Sequence, residues 1–291
     1  MKRFKTLLYA TGLGLILTTN SCKEEYLEIG ALGSTSEATL ANKAGLNGLL
    51  TGAYSLLDGW GVPNTTYYFV GVSNWIFGGV TSDDAHTGTQ ASALPPMEAV
   101  ESYNYDATLA PFNNKWMVLY AGVQRANDVL RVLAKTNDPA LSAEEAKQIK
   151  AEATFLRAVY HLEAAKMWEN IPYLDESISY ANDNYKVANT TSAWPKIEAD
   201  FKFAADNLSG TKTEVGRANS WAAKAFLAKT YMFQDKYTEA KTVLEDVIAN
   251  GVTSSGAKYA LVNYADNFNP SKKNGPESVF AVQMSIAESF Q

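Results

Sequence analysis

The chain has 291 residues, 46% of them apolar and 19% charged, enough for one large domain or two small ones. Its net charge of −6 comes from 25 Lys and Arg against 31 Asp and Glu. That balance argues against a nucleic-acid partner, because phosphates demand a basic face. A single cysteine excludes an internal disulfide.

Lys2, Arg3 and Lys5 precede an apolar run from Leu7 to Leu17. This run is too short to span a bilayer and has the layout of a secretory signal, so residues 1–21 are expected to be a signal peptide. Cys22 follows directly, in Thr19-Asn20-Ser21-Cys22. One reading is a free thiol near a cleavage site. The other, which we expect, is a bacterial lipoprotein cysteine, cleaved on its amino side and then acylated. Thr19 departs from the leucine that such sites prefer. Acyl chains anchor by burying CH₂ groups in lipid. Residues 22–35 read as a Gly-containing tether. Loss of the leader removes three basic residues and no acidic ones, which takes the net charge from −6 to −9. That is compatible with neutral ligands such as sugars.

A helix is predicted over Glu37–Leu57, with Leu46, Leu49, Leu50, Ala53, Tyr54 and Leu57 on one face. Ser34 and Glu37 are its expected caps. Gly45, Gly48 and Gly52 weaken the helix and are read as points of close helix–helix approach. Asp58–Ala110 then loses helical periodicity and becomes rich in Gly, Thr, Ser, Asn and aromatics. Long irregular segments within a domain are often functional. Within it, Val70–Phe77 reads as a helix or short strand.

Pro111–Lys135 is helical again, with Trp116, Leu119, Tyr120, Val123, Leu130 and Leu133 inward. The central stretch is Ser142–Leu174, read as a helix over Ser142–Asn170. Ser142 and Glu145 form a capping box. Ile149, Ala153, Leu156, Tyr160 and Ala164 make its stripe, and Pro172 is expected to stop it. A polar insertion, Asp175–Thr191, leads to a helix over Ser192–Leu208 with Pro195 in its first turn. Arg217–Asn250 reads as helix–turn–helix, capped by Gly251. Alternation over Ser278–Met284 reads as a strand.

Leu227, Ala228, Tyr231, Tyr237, Ala240 and Leu244 fall at tetratricopeptide offsets, with the alanines where two helices approach and the tyrosines filling the space beside them. A generic helical hairpin is the bland alternative. Two earlier pairs are expected, the central helix with Ser192–Leu208 and Pro111–Lys135 with Glu37–Leu57. The predicted fold is therefore mostly α. Tetratricopeptide-like pairs form an α-superhelix over residues 36–291, with long inserted loops and a little β.

Several stretches together resemble the SusD/RagB family of outer-membrane nutrient-binding lipoproteins. They are Cys22 with Tyr26-Leu27-Glu28, Gly52-Ala53-Tyr54, Trp116 through Arg125-Ala126-Asn127, and Ala151 through Ala158. Asn170-Ile171-Pro172-Tyr173, Gly216-Arg217-Ala218, Ala222 through Ala225, Leu227-Ala228-Lys229 and Glu277-Ser278-Val279-Phe280 continue the series. Lys23-Glu24-Glu25 resembles the acidic surface-export signal of Bacteroidota lipoproteins. The resemblance implies a lipid-anchored protein at the cell surface of the outer membrane. It implies a carbohydrate or other nutrient as ligand and a TonB-dependent transporter of the SusC type as partner, with binding and no cleavage. Family members are usually much longer, so it also implies that the chain is their amino-terminal part, truncated at its carboxyl end.

Sugar recognition needs flat aromatic faces for pyranose C–H surfaces and polar groups for hydroxyls. Asp58–Ala110 offers Trp60, Tyr67, Tyr68, Asn74, Trp75, Asp83 and Asp84. The first expectation is Trp75 with Asp83 and Asp84, supported by Trp60 and Asn74. Against it stands burial of Trp75 with Ile76 and Phe77 in the core, with the aspartates capping a turn. Glu152 and Arg157, five residues apart, do not share a helical face, so structural roles are expected of them. Asn127 is expected to bond a neighbouring backbone. His86 and His161 have no ligand spacing, and no metal or cofactor is expected, although calcium at Asp83 and Asp84 stays open. Nucleotide and nucleophile-elbow motifs are missing from the chain after residue 21. A ligand-free scaffold and an anchored glycoside hydrolase are the competing functions. The second needs a facing carboxylate pair to which the sequence does not point.

Overall fold

The computed structural model describes residues 37–66, 70–71, 74–88 and 94–284. The leader, Cys22, the tether, Ser34, Tyr67 and Tyr68 lie outside the described residues. The chain divides into two units, Met1–Thr39 and Leu40–Gln291. Of the first, only 37–39 are described, in a single helical turn Glu37–Leu40. The second unit holds seven α-helices among its described residues: α1 Lys43–Ser55, α2 Pro95–Glu101, α3 Ala110–Lys135, α4 Ala143–Trp168, α5 Trp194–Asn207, α6 Ser220–Met232 and α7 Tyr237–Asn250.

From α3 to α7 each helix packs on the next in the chain, and α1 packs on both α3 and α4. This serial stacking of helices is the expected α-superhelix. Its centre is α4, in which every residue from Ala151 to Leu162 is buried. A helix covered on all sides belongs in the core. Its start is as predicted: Ser142 accepts from the Glu145 N–H at 3.2 Å, and Glu145 accepts from the Ser142 N–H at 3.0 Å. Its end is not. The helix stops at Trp168, where Glu169 takes φ +55°. Pro172 lies beyond it, and its carbonyl accepts from the Tyr120 hydroxyl at 2.7 Å.

Phe155 of α4 meets Phe201 of α5 and Phe226 of α6, with centroids 5.8 and 5.3 Å away. Phe280 completes the cluster, 5.4 Å from Phe155. It comes from the run Ser278–Met284, which is irregular here, not a strand. A strand needs a partner ladder. The β structure among the described residues is one isolated bridge, Val252 with Lys258.

The first helix also differs from expectation. The chain breaks at Ala41-Asn42, and α1 is capped by Asn42, whose side chain accepts from the Gly45 N–H at 3.0 Å. A Cβ at Gly45 would lie 2.4 Å from the Leu40 carbonyl, so this glycine admits the incoming backbone. A Cβ at Gly48 or Gly52 would meet nothing within 4 Å, so neither glycine is there for close helix approach. The close approach is instead at Gly122 of α3, where a Cβ would fall 2.4 Å from the Tyr160 ring. Tyr160 reaches across to donate to the Ala53 carbonyl at 2.6 Å, joining α1, α3 and α4.

In the α6–α7 hairpin, Ala228 and Ala240 are buried as the repeat requires. Tyr237 is not an inward filler: it is 61% exposed, and its hydroxyl donates to Asp235 at 2.6 Å. Gly251 caps α7 from an extended backbone, φ −66°, not a left-handed one. Glycine is needed there because a Cβ would strike the Tyr259 ring at 2.5 Å.

Candidate ligand-binding site

The irregular segment after α1 is pinned to the scaffold at several points. Gly59, at φ +92°, leaves room for the Val70 carbonyl, which a Cβ would meet at 2.5 Å. The Thr66 N–H donates to Asn114 Oδ1 of α3 at 2.6 Å, and Asn114 Nδ2 donates to the Ala110 carbonyl at 2.7 Å. Asn74 adopts φ +53°, a conformation asparagine tolerates better than most residues. Its Nδ2 donates to Glu163 Oε2 of α4 at 3.1 Å, while its Oδ1 is buried without a partner.

Trp75 follows and is half-buried, packed against a second core cluster of Val70, Ile76, Met97, Val100 and Val118. It therefore has a packing role while staying partly exposed. The Trp75 carbonyl accepts from the Val80 N–H at 2.8 Å, closing a π-helical turn over Ile76–Val80, which the predicted Val70–Phe77 element enters at Ile76 and Phe77. Asp83 and Asp84 are exposed in the turn that follows, Asp83 at φ +66°. Asp84 accepts from the Ser82 hydroxyl at 3.2 Å. Below them, Glu101 of α2 accepts from the Thr87 hydroxyl at 2.7 Å and contacts the His86 ring. These bonds hold the Glu101 carboxyl below its ordinary range. Trp60 is 51% exposed, and its N–H donates to Asp58 at 2.7 Å.

Asn74, Trp75, Asp83 and Asp84 thus stand at the two ends of one short turn, with Trp60 farther back on the same segment. Among the described residues, no group of three metal-binding side chains converges there or elsewhere. Cavities of about 290 and 250 Å³ open beside α1, lined by Glu152, Lys212 and Gln148 in one and by Tyr54, Asp58 and Gln283 in the other, with Glu214 and Arg217 shared. The five candidate residues line neither.

The buried charges in α4 have structural partners. Glu152 accepts from Tyr54 and Lys212, both at 2.8 Å. Arg157 makes two bonds to Asp200, at 2.8 and 2.7 Å. Burial opposes the charge on Arg157, but Asp200 together with Tyr173 and Glu176 outweighs it and raises the guanidinium's proton affinity. Asn127 donates to the Leu174 carbonyl at 3.0 Å. One support of the candidate site was not legible in the sequence. Glu163 anchors Asn74. The pKa of Lys115, buried on α3, is lowered to about 8 chiefly by burial, against the pull of Glu163. The break in the apolar face of α3 at Asn114-Lys115 is the one signal for this lysine.

A helical-repeat scaffold carrying an irregular aromatic segment on its central helix is the class that fold and site define. Residues 73–232 match a SusD-like family model described as starch-binding and associating with the outer membrane. The match takes in more than half of the chain, and the chain belongs to the SusD-like family. It is 26% identical over 175 residues to a SusD-like protein of Bacteroides ovatus, covering 58% of this chain and 32% of that one. It is 23% identical over 281 residues to SusD-like protein P25 of Formosa agariphila, covering 92% and 50%. The chain thus spans half or less of the length of these relatives. A laminarin-binding SusD-like protein of known structure aligns with TM-score 0.68 at 25% identity, over 82% of this chain and 50% of that one. A SusD superfamily protein from Bacteroides vulgatus aligns with TM-score 0.65 at 25% identity, over 81% and 49%. Among the described residues no helix is long and apolar enough to cross a membrane.

Proposed function

We propose that this protein captures neutral oligosaccharides at the outer-membrane surface and passes them to a TonB-dependent transporter of the SusC type. In this reading residues 1–21 are a signal peptide, and Cys22 carries the lipid anchor on the tether 22–35. Residues 36–291 form the capturing helical domain. The observation that carries the reading is the family match over 73–232, which includes Asn74, Trp75, Asp83 and Asp84. Trp75 supplies a ring face for a pyranose, and the exposed carboxylates of Asp83 and Asp84 accept from its hydroxyls. Trp60 offers a second ring. An acidic chain suits an uncharged ligand.

The protein binds without cleaving. Incubation of purified protein with laminarin, soluble starch and other glycans tests this directly. Saturable binding with no new reducing ends is expected. New reducing ends would replace the reading with a hydrolase, and no binding to any glycan would leave only a scaffold.

A further inference from the structure

The insertion between α4 and α5 carries a pair of exposed rings outside both core clusters. Tyr180 is 83% exposed and Tyr185 39%. Their centroids lie 4.5 Å apart, with planes at 35°. The loop is built rigidly around them. Asn184 Oδ1 accepts from the Ser179 N–H at 2.8 Å, and the Nδ2 groups of Asn182 and Asn184 both donate to the Ser177 carbonyl at 2.9 Å. Asp183, at φ +51°, donates its N–H to the Tyr180 carbonyl at 3.1 Å.

The root of the loop is fixed to the helices. The Leu174 N–H donates to His161 Nε2 at 3.1 Å, and Arg131 donates to the Glu176 and Ile178 carbonyls at 3.3 and 3.4 Å. Arg157 pairs with the Glu176 carboxylate. A surface held this firmly loses little freedom when it binds.

We infer that Tyr180 and Tyr185 form a second stacking surface for a pyranose of a neutral oligosaccharide, apart from the Trp75 segment. The inference rests on the glycan-binding reading above. The chemistry of the neighbours selects this occupant. A protein-docking patch has a broad apolar centre with a polar rim. Here the open ring of Tyr180, backed by Tyr185 with the Lys186 ammonium 5.7 Å from the Tyr185 centroid, stands among Ser179, Asn182, Asp183 and Asn184. That setting matches a small apolar sugar face ringed by hydroxyls. Asn74 is bonded to Glu163 and Leu174 to His161, so both loops are fastened to one turn of α4, on different sides. On this inference a polymer engages both surfaces and a short glycan the Trp75 segment alone.

Calorimetry with laminarin and laminarihexaose, and with soluble starch and maltohexaose, tests this on wild type, Tyr180→Ala/Tyr185→Ala, Tyr180→Phe/Tyr185→Phe and Trp75→Ala. The double alanine variant is expected to lose about tenfold in affinity for the polymer and less than about twofold for the hexamer. The double phenylalanine variant, which keeps the ring faces, retains polymer binding. Wild-type polymer affinity in the double alanine variant, with loss in Trp75→Ala, overturns the second surface and leaves the glycan reading standing. Equal loss in both double variants also overturns it, since the contact would then be through the hydroxyls. A wild type that binds none of these glycans overturns the reading beneath.

Discussion

Asn74 Nδ2 donates to Glu163 Oε2 at 3.1 Å, fastening the aromatic segment to the central helix across 89 positions of sequence. Glu163 also accepts from Lys166 at 2.7 Å, so its carboxylate is held from two sides. The site's precision depends on this bond more than its stability does. Glu163→Ala is expected to cost about 1 kcal/mol of stability. It should speed hydrogen exchange over 74–80 and weaken glycan affinity several-fold. Glu163→Gln keeps an acceptor for Asn74 and should restore slow exchange. Unchanged exchange in Glu163→Ala would show that the bond does not order the segment.

The Arg157–Asp200 pair tests the scaffold. Both side chains are about nine-tenths buried. Asp200→Ala removes the bidentate partner of Arg157 and leaves it only Glu176 and Asn127, and is expected to cost about 3 kcal/mol. Urea midpoints measure this. A loss below about 1 kcal/mol would mean that water reaches the pair freely.

Two glycines give opposite expectations. Gly122→Ala drives a methyl into the Tyr160 ring, which is itself held by the Ala53 carbonyl, and should cost about 1–3 kcal/mol. Gly48→Ala, in open space inside α1, should stabilise by about 0.5–1 kcal/mol. Melting curves of the two variants should move in opposite directions.

His161 is fully buried and neutral. Its Nδ1–H donates to the Arg157 carbonyl at 3.0 Å, and its Nε2 accepts from Leu174. Burial, then the charge of Arg157, lowers its pKa from 6.5 to about 3, against the opposing pull of Asp175. Between these values the unfolded chain holds a proton that the folded one does not. Stability is therefore full above pH 6.5 and falls as pH drops towards 3, by about 1.4 kcal/mol per pH unit well below 6.5. His161→Gln should flatten the pH dependence of Tm between pH 5 and 6.5, where carboxylates contribute little.

Local rules reached the scaffold well. The Ser142–Glu145 box and the spacing from Ile149 to Ala164 define α4 without any long-range information. They missed its end, because Glu169 takes a left-handed conformation for which the sequence offers no glycine. Gly122 and Gly48 look alike in sequence, and only the Tyr160 ring separates them. The alternation at Ser278–Met284 reads as a strand until one asks for its partner, which the described residues do not contain. Membership of the SusD-like family was legible because it rests on ordered local motifs. The arrangement of the site was not: Asn74 and Glu163 come from distant parts of the chain and meet only by folding.

Hydrogen exchange across residues 74–88, with and without saturating laminarin or starch, tests the central claim most directly. If the aromatic segment captures glycan, the backbone around Trp75, Asp83 and Asp84 slows on binding, and Trp75→Ala abolishes the effect. Bound glycan that leaves 74–88 unchanged while protecting other segments would contradict it.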